Sequence, residues 1–99
     1  MFHLIFHPEA SKEFGEAYIW YEVNKKGLGK RFVMAIETLL VKIQNDPHLF
    51  RYAKRPFREA AVPIFPFTIV FKIDNKKKII NILAIFHTSR NPGKKYRNI

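Results

Sequence analysis

The chain has no cysteine. That excludes a disulfide framework and a thiolate zinc site, and nothing marks an oxidising compartment. No apolar run approaches membrane-spanning length, and Met1 to His7 give way to Pro8 and Glu9 too soon for a secretory leader. The cytoplasm is therefore the expected compartment, with no membrane partner. Internal repeats, low-complexity tracts and linkers are also missing. Acid is scarce in one half only. Residues 51–99 carry just Glu59 and Asp74 against twelve Lys and Arg, whereas residues 1–50 hold six acids and six Lys or Arg. The whole net charge of +10 lies in the second half, which marks it as a contact surface for a polyanion, either nucleic acid or an acidic protein.

Ninety-nine residues, 47% of them apolar, suit one domain spanning 1–99, large enough for a core and too small for two. Phe2, Leu4 and Phe6 alternate with His3, Ile5 and His7 as in a strand, and Pro8 then fixes φ for the first turn of a helix. Ala10, Phe14, Ala17, Tyr18 and Tyr21 form one stripe along a helix from Pro8 to Asn24, with Glu9 and Glu13 at its positive end. Lys25 to Gly29 make a tight turn. Leu28, Phe32, Ala35, Ile36, Leu39, Leu40 and Ile43 continue helical spacing until Asn45-Asp46-Pro47 stops it.

Residues 47–57 read as an irregular basic connection. Arg58 to Val62 is a strand candidate, and Pro63 and Pro66 place a turn or bulge around Phe65. The strongest strands are Thr68 to Ile73 and Lys78 to Phe86, joined by an Asp74-Asn75-Lys76-Lys77 turn. In the last strand, strict alternation puts Ile80, Ile82, Ala84 and Phe86 on one side and Ile79, Leu83 and Ile85 on the other, which makes it central. The expected fold is α+β in the order β-α-α-β-β-β, a helical hairpin packed on one mostly antiparallel sheet. If the first strand pairs with the last, the two run parallel through a right-handed crossover.

Several pieces, in this order, carry a family resemblance: Ala17-Tyr18-Ile19-Trp20-Tyr21-Glu22; Gly27-Leu28-Gly29 with Arg31-Phe32 opening the second helix; Phe65-Pro66-Phe67 before a strand; and the ending His87-Thr88-Ser89-Arg90-Asn91-Pro92. Together they resemble the RelE/ParE superfamily of toxins from type II toxin–antitoxin systems, over nearly the whole chain and closer to the ParE-like branch. The resemblance implies a growth inhibitor held in a hetero-oligomer by a cognate acidic antitoxin until that antitoxin is degraded. It offers two targets. The ParE branch blocks DNA gyrase on DNA and cleaves no bond itself. The RelE branch is a ribosome-dependent, metal-independent messenger-RNA endonuclease, which needs a base, a phosphate-stabilising cation and an acid. A non-toxic basic nucleic-acid-binding module is a third class.

In the nuclease reading, Arg58, His87, Arg90 and Tyr96 share phosphate clamping and proton transfer, since a guanidinium forks onto phosphate and an imidazole titrates in the useful range. The structural readings of Arg58 and His87 are a strand-edge charge and an imidazole capping the sheet end. Departures weigh against catalysis: the nuclease branch has an arginine where this chain has Thr68, and lysines where it has Ala60 and Ala61. Lys54, Arg55 and Arg58 are the cations that stand nearby. Arg55, Arg58, Arg90, Lys94, Lys95 and Arg97 are the expected nucleic-acid or target contacts, with Tyr96 as a stacking ring. Trp20, Tyr21, Arg90 and Lys94 are the expected antitoxin contacts. No cofactor is called for. His3 and His7 share a face, yet no further ligand completes a metal set. Ser11 and Ser89 form no legible triad, and Lys76-Lys77-Lys78 reads as a solvated hairpin tip.

Overall fold

The computed structural model describes residues 1–89. Strand β1 (His3–Phe6) leads into helix α1 (Pro8–Asn24), and helix α2 (Leu28–Asn45) returns antiparallel to it. After a single 3₁₀ turn at Pro47–Leu49 come β2 (Tyr52–Lys54), β3 (Phe57–Ala61), β4 (Phe67–Asp74) and β5 (Ile79–His87). The sheet order is β1-β5-β4-β3-β2, with β1 parallel to β5 and the other pairs antiparallel. The expected α+β hairpin-on-sheet architecture and the parallel β1–β5 pairing are thus present. The expected irregular connection over 47–57 is not: it contains the short edge strand β2, whose three residues are all exposed.

Local chemistry accounts for the helix ends. His7 caps α1, its Nδ1 accepting the Glu9 N–H at 3.2 Å, and Pro8 sits at the first helical position, where a missing N–H costs nothing. Gly27, at φ 88°, turns the chain between the helices. The α2 N-terminus has no side-chain cap from the residue that precedes it. Glu22 of α1 supplies one instead: its two carboxylate oxygens accept the Gly27 and Gly29 N–H groups at 2.9 and 3.0 Å.

One core lies between the helices and the sheet. Ala10 and Tyr21 of α1, Phe32, Ile36, Leu39, Leu40 and Ile43 of α2, and Ile69, Phe71, Ile80, Ile82 and Ile85 of the sheet fill it. Of the predicted α1 stripe, Tyr18 is the exception. It lies 40% exposed, outside the cluster. Phe32 is the hub of an aromatic group, with ring centroids 5.0 Å from Phe67, 5.2 Å from Tyr21 and 5.3 Å from Phe65. Phe65 reaches it through a tight turn in which Ile64 takes φ 74° and the Phe65 N–H donates to the Pro63 carbonyl at 2.8 Å.

The strict alternation expected for the last strand fails at one residue. Val70 pairs with Ala84 and Phe71 with Ile82, so Leu83 is an extra residue bulged into β5. The bulge reverses the parity beyond it. Ile80 and Ile82 share the helix-facing core with Ile85, while Ala84 and Phe86 join Val70 and Phe57 in a second cluster on the opposite face.

Candidate functional site

The site begins with a mismatch of length. β1 has four residues and β5 has nine. β1 pairs with β5 only from Ile79 to Ile82, the His7 N–H donates to the Ile82 carbonyl, and Pro8 then turns the chain away into α1. From Leu83 onward β1 no longer covers that edge of β5. The edge is met by a side chain of α1: Glu13 Oε1 accepts the Ile85 N–H at 3.0 Å. Beyond Glu13 the helix and sheet enclose an open groove of about 700 Å³.

Glu13, Glu16, Ala17, Trp20 and Tyr21 form the helix wall of this groove, and Phe67, Ile85 and His87 form the sheet wall, with Ser89 at the rim. Trp20 is 62% exposed, its ring edge-on to Tyr21 at 5.2 Å. Tyr21 is buried, and loss of hydration holds its phenol above the ordinary value of 10.0. His87 stands edge-on to Phe67 at 5.0 Å. Its Nδ1 accepts the Ser89 N–H at 3.2 Å and lies 2.7 Å from Ser89 Oγ. In the neutral ring, those contacts assign the hydrogen to Nε2. Among the described residues that line the groove, the charged side chains are carboxylates and none is Lys or Arg. Such a surface suits apolar side chains and a cationic or neutral segment better than a phosphate.

The expected site residues separate. Trp20, Tyr21 and His87 meet in the groove. Arg58 does not join them. Its strand neighbour is Phe71, whereas that of His87 is Phe67, so strand spacing and rise put the two backbones roughly 17 Å apart. Arg58 is engaged elsewhere: Nη1 donates to the Phe50 carbonyl at 2.6 Å and to the His48 carbonyl at 3.4 Å, and the guanidinium lies 4.0 Å from the Tyr52 ring centre. Arg55 stacks on the same ring at 4.4 Å. Arg90, Lys94, Lys95, Tyr96 and Arg97 lie outside the described residues. Among the described residues no group of three or more His, Cys, Asp or Glu side chains is arranged to hold a metal ion, and no helix is long and apolar enough to cross a membrane. Glu13, Glu16 and Phe67 were not among the sequence candidates. Their signal was the short first strand followed at once by a proline-started helix, which leaves the longer strand uncovered at its far end.

The family described as the ParE toxin of the type II toxin–antitoxin system parDE matches residues 4–92. No relative is found among curated proteins. Among solved structures, one from a chromosomal ParDE toxin–antitoxin system of P. aeruginosa superposes with a TM-score of 0.77 at 19% identity, covering 90% of this chain and 98% of that one. The isolated E. coli RelE toxin superposes with a TM-score of 0.68 at 14% identity, over 95% and 92% of the two chains. A chain of the intact E. coli RelBE toxin–antitoxin complex gives 0.69 at 15% identity, over 91% and 100%. At these identities the superpositions speak for the fold.

Proposed function

Because the chain belongs to the ParE toxin family of type II toxin–antitoxin systems, we propose that it is a growth inhibitor that blocks DNA gyrase on DNA without cleaving a bond itself, and that a cognate antitoxin neutralises it by occupying the groove beside β5. The supporting observation is the separation of Arg58 from His87. A phosphodiester cleavage centre needs a cation and a proton-transfer group within reach of one phosphate. Here Arg58 is spent on two main-chain carbonyls and the Tyr52 ring, while His87 faces a groove whose described wall carries Glu13 and Glu16. The substitutions at Thr68, Ala60 and Ala61 point the same way.

The groove has the character of a docking cleft for an amphipathic segment. Trp20 offers a large exposed ring and the walls are apolar, which favours the insertion of anchor side chains. The test is a pair of assays on the purified toxin. Inhibition of gyrase supercoiling, with intact messenger RNA on programmed ribosomes, is expected. Ribosome-dependent RNA cleavage that disappears in His87→Ala, with supercoiling unaffected, would refute the gyrase reading.

A further inference from the structure

Among the described residues, the cations of the second half gather towards the end of the sheet away from the groove, whereas those of the first half lie on the helices and the turn between them. β3 runs antiparallel to β4 with Arg58 opposite Phe71, so the turn joining β2 to β3 lies beside the Ile73–Asp74 end of β4. The turn joining β4 to β5 leaves from that same end. Lys54 at the end of β2, Arg55 on the first turn, and Lys76, Lys77 and Lys78 on the second are all exposed, and Arg51, also exposed, directly precedes β2. Two acids stand among these cations: Asp74 accepts the Lys77 N–H at 3.1 Å and so closes its turn, and Glu59 on β3 lies opposite Arg51, its N–H donating to the Arg51 carbonyl at 3.3 Å. From His87 to the Tyr52 ring the sheet spans three strands and four residues, roughly 20 Å.

This end is organised. Tyr52 holds two guanidiniums at its ring, and Arg58 in turn anchors the hairpin through the Phe50 and His48 carbonyls. A guanidinium stacked on a ring keeps its in-plane N–H donors, which is the orientation that forks onto phosphate oxygens. Placing so many like charges around two adjacent turns costs repulsion at low salt, which a polyanion relieves.

We propose that the β2–β3 and β4–β5 turns form a binding site for the phosphate backbone of duplex DNA, separate from the groove and open while the groove is occupied. Arg51, Arg55, Lys76 and Lys77 make the phosphate contacts, and Tyr52 with Arg58 positions Arg55. Duplex DNA fits better than an acidic protein segment. It presents an unbroken row of charges, roughly one per 1.7 Å of axis, along which cations on both turns engage together, whereas carboxylates in a peptide are intermittent. This site goes beyond the gyrase reading and does not depend on it, because contact with DNA needs no gyrase.

The experiment is fluorescence anisotropy of a labelled random-sequence duplex with purified toxin and no gyrase, across a salt series. Four phosphate contacts give a slope of log K against log salt of roughly −3 to −4. Arg55→Glu with Lys77→Glu is expected to weaken binding at least tenfold and to flatten that slope. Tyr52→Leu, which keeps every charge, is expected to weaken binding several-fold, with Tyr52→Phe restoring it. The control is Lys30→Glu with Arg31→Glu, the same charge change on exposed positions of α2, and each variant's fold is checked by circular dichroism. Equal losses from the control pair would reduce the effect to net charge and overturn the site. So would displacement of the duplex by poly-glutamate at equal charge concentration, which would assign the surface to acidic proteins. A gyrase assay that fails while this binding persists would sink only the earlier proposal.

Discussion

Glu13 and Ile85 are joined across the two layers of the fold: a carboxylate oxygen of α1 accepts a main-chain N–H of β5 at 3.0 Å, at the point where β1 has ceased to pair. The bond satisfies a strand-edge donor and fixes the origin of the groove. Glu13→Ala removes the acceptor and leaves a part-buried N–H unpaired, at an expected cost of about 1–3 kcal/mol. Glu13→Gln keeps an acceptor oxygen and is expected to lose less than half as much. Thermal denaturation of the two variants measures the difference.

Glycine at 29 is required by contact. A Cβ there would stand 2.7 Å from the Tyr18 carbonyl oxygen and 2.9 Å from both Cβ and Oε1 of Glu22. Gly29→Ala is therefore expected to destabilise by about 1–3 kcal/mol through overpacking, despite alanine's better helix propensity. Gly15, also helical, has no atom within 4 Å of such a Cβ. Gly15→Ala is expected to stabilise by about 0.5–1 kcal/mol. Opposite signs in urea unfolding would separate contact from propensity.

Burial raises the Tyr21 phenol above its ordinary 10.0. The folded chain then binds more protons than the unfolded chain between that value and the raised one, so stability falls as pH rises through this window and is fully present below it. Unfolding free energy measured from neutral pH upward is expected to show an added decline beyond about pH 10. Tyr21→Phe should lose that part of the decline.

Trp20 is exposed at the groove wall, and its removal should spare the fold. Trp20→Ala is expected to weaken antitoxin binding by tenfold or more, about 1.4 kcal/mol, with the melting temperature within a degree or two of wild type. Because Trp20 contributes uncharged aromatic surface, this contribution should change little with salt. A steep loss of affinity in salt, with Trp20→Ala neutral, would move the antitoxin contact to the cationic half.

Hydrophobic period made most of the fold legible before any coordinates. Both helices, the three principal strands and every expected core position of α2 follow from spacing alone, because those elements bury one regular face. Leu83 shows where the method stops. A single bulged residue reverses the facing of everything after it, and no local residue preference marks it, since all of its neighbours are apolar. β2 escaped for the opposite reason: three exposed residues, Tyr52 to Lys54, have no buried face to reveal them. Of the site, Trp20 and His87 could be singled out by residue type. The remoteness of Arg58 from His87 could not, because it depends on strand register, which the sequence leaves open until Arg58 is paired with Phe71 and Phe67 with His87.

The most direct test of the central claim is a titration of gyrase supercoiling with wild-type toxin and with His87→Ala. A toxin that acts by occupying its target, without chemistry, inhibits in proportion to the toxin added, levels off near stoichiometric addition, and retains its potency within about threefold when the imidazole is removed. Complete inhibition far below stoichiometry, abolished in His87→Ala, would show turnover by a catalytic centre and contradict the account.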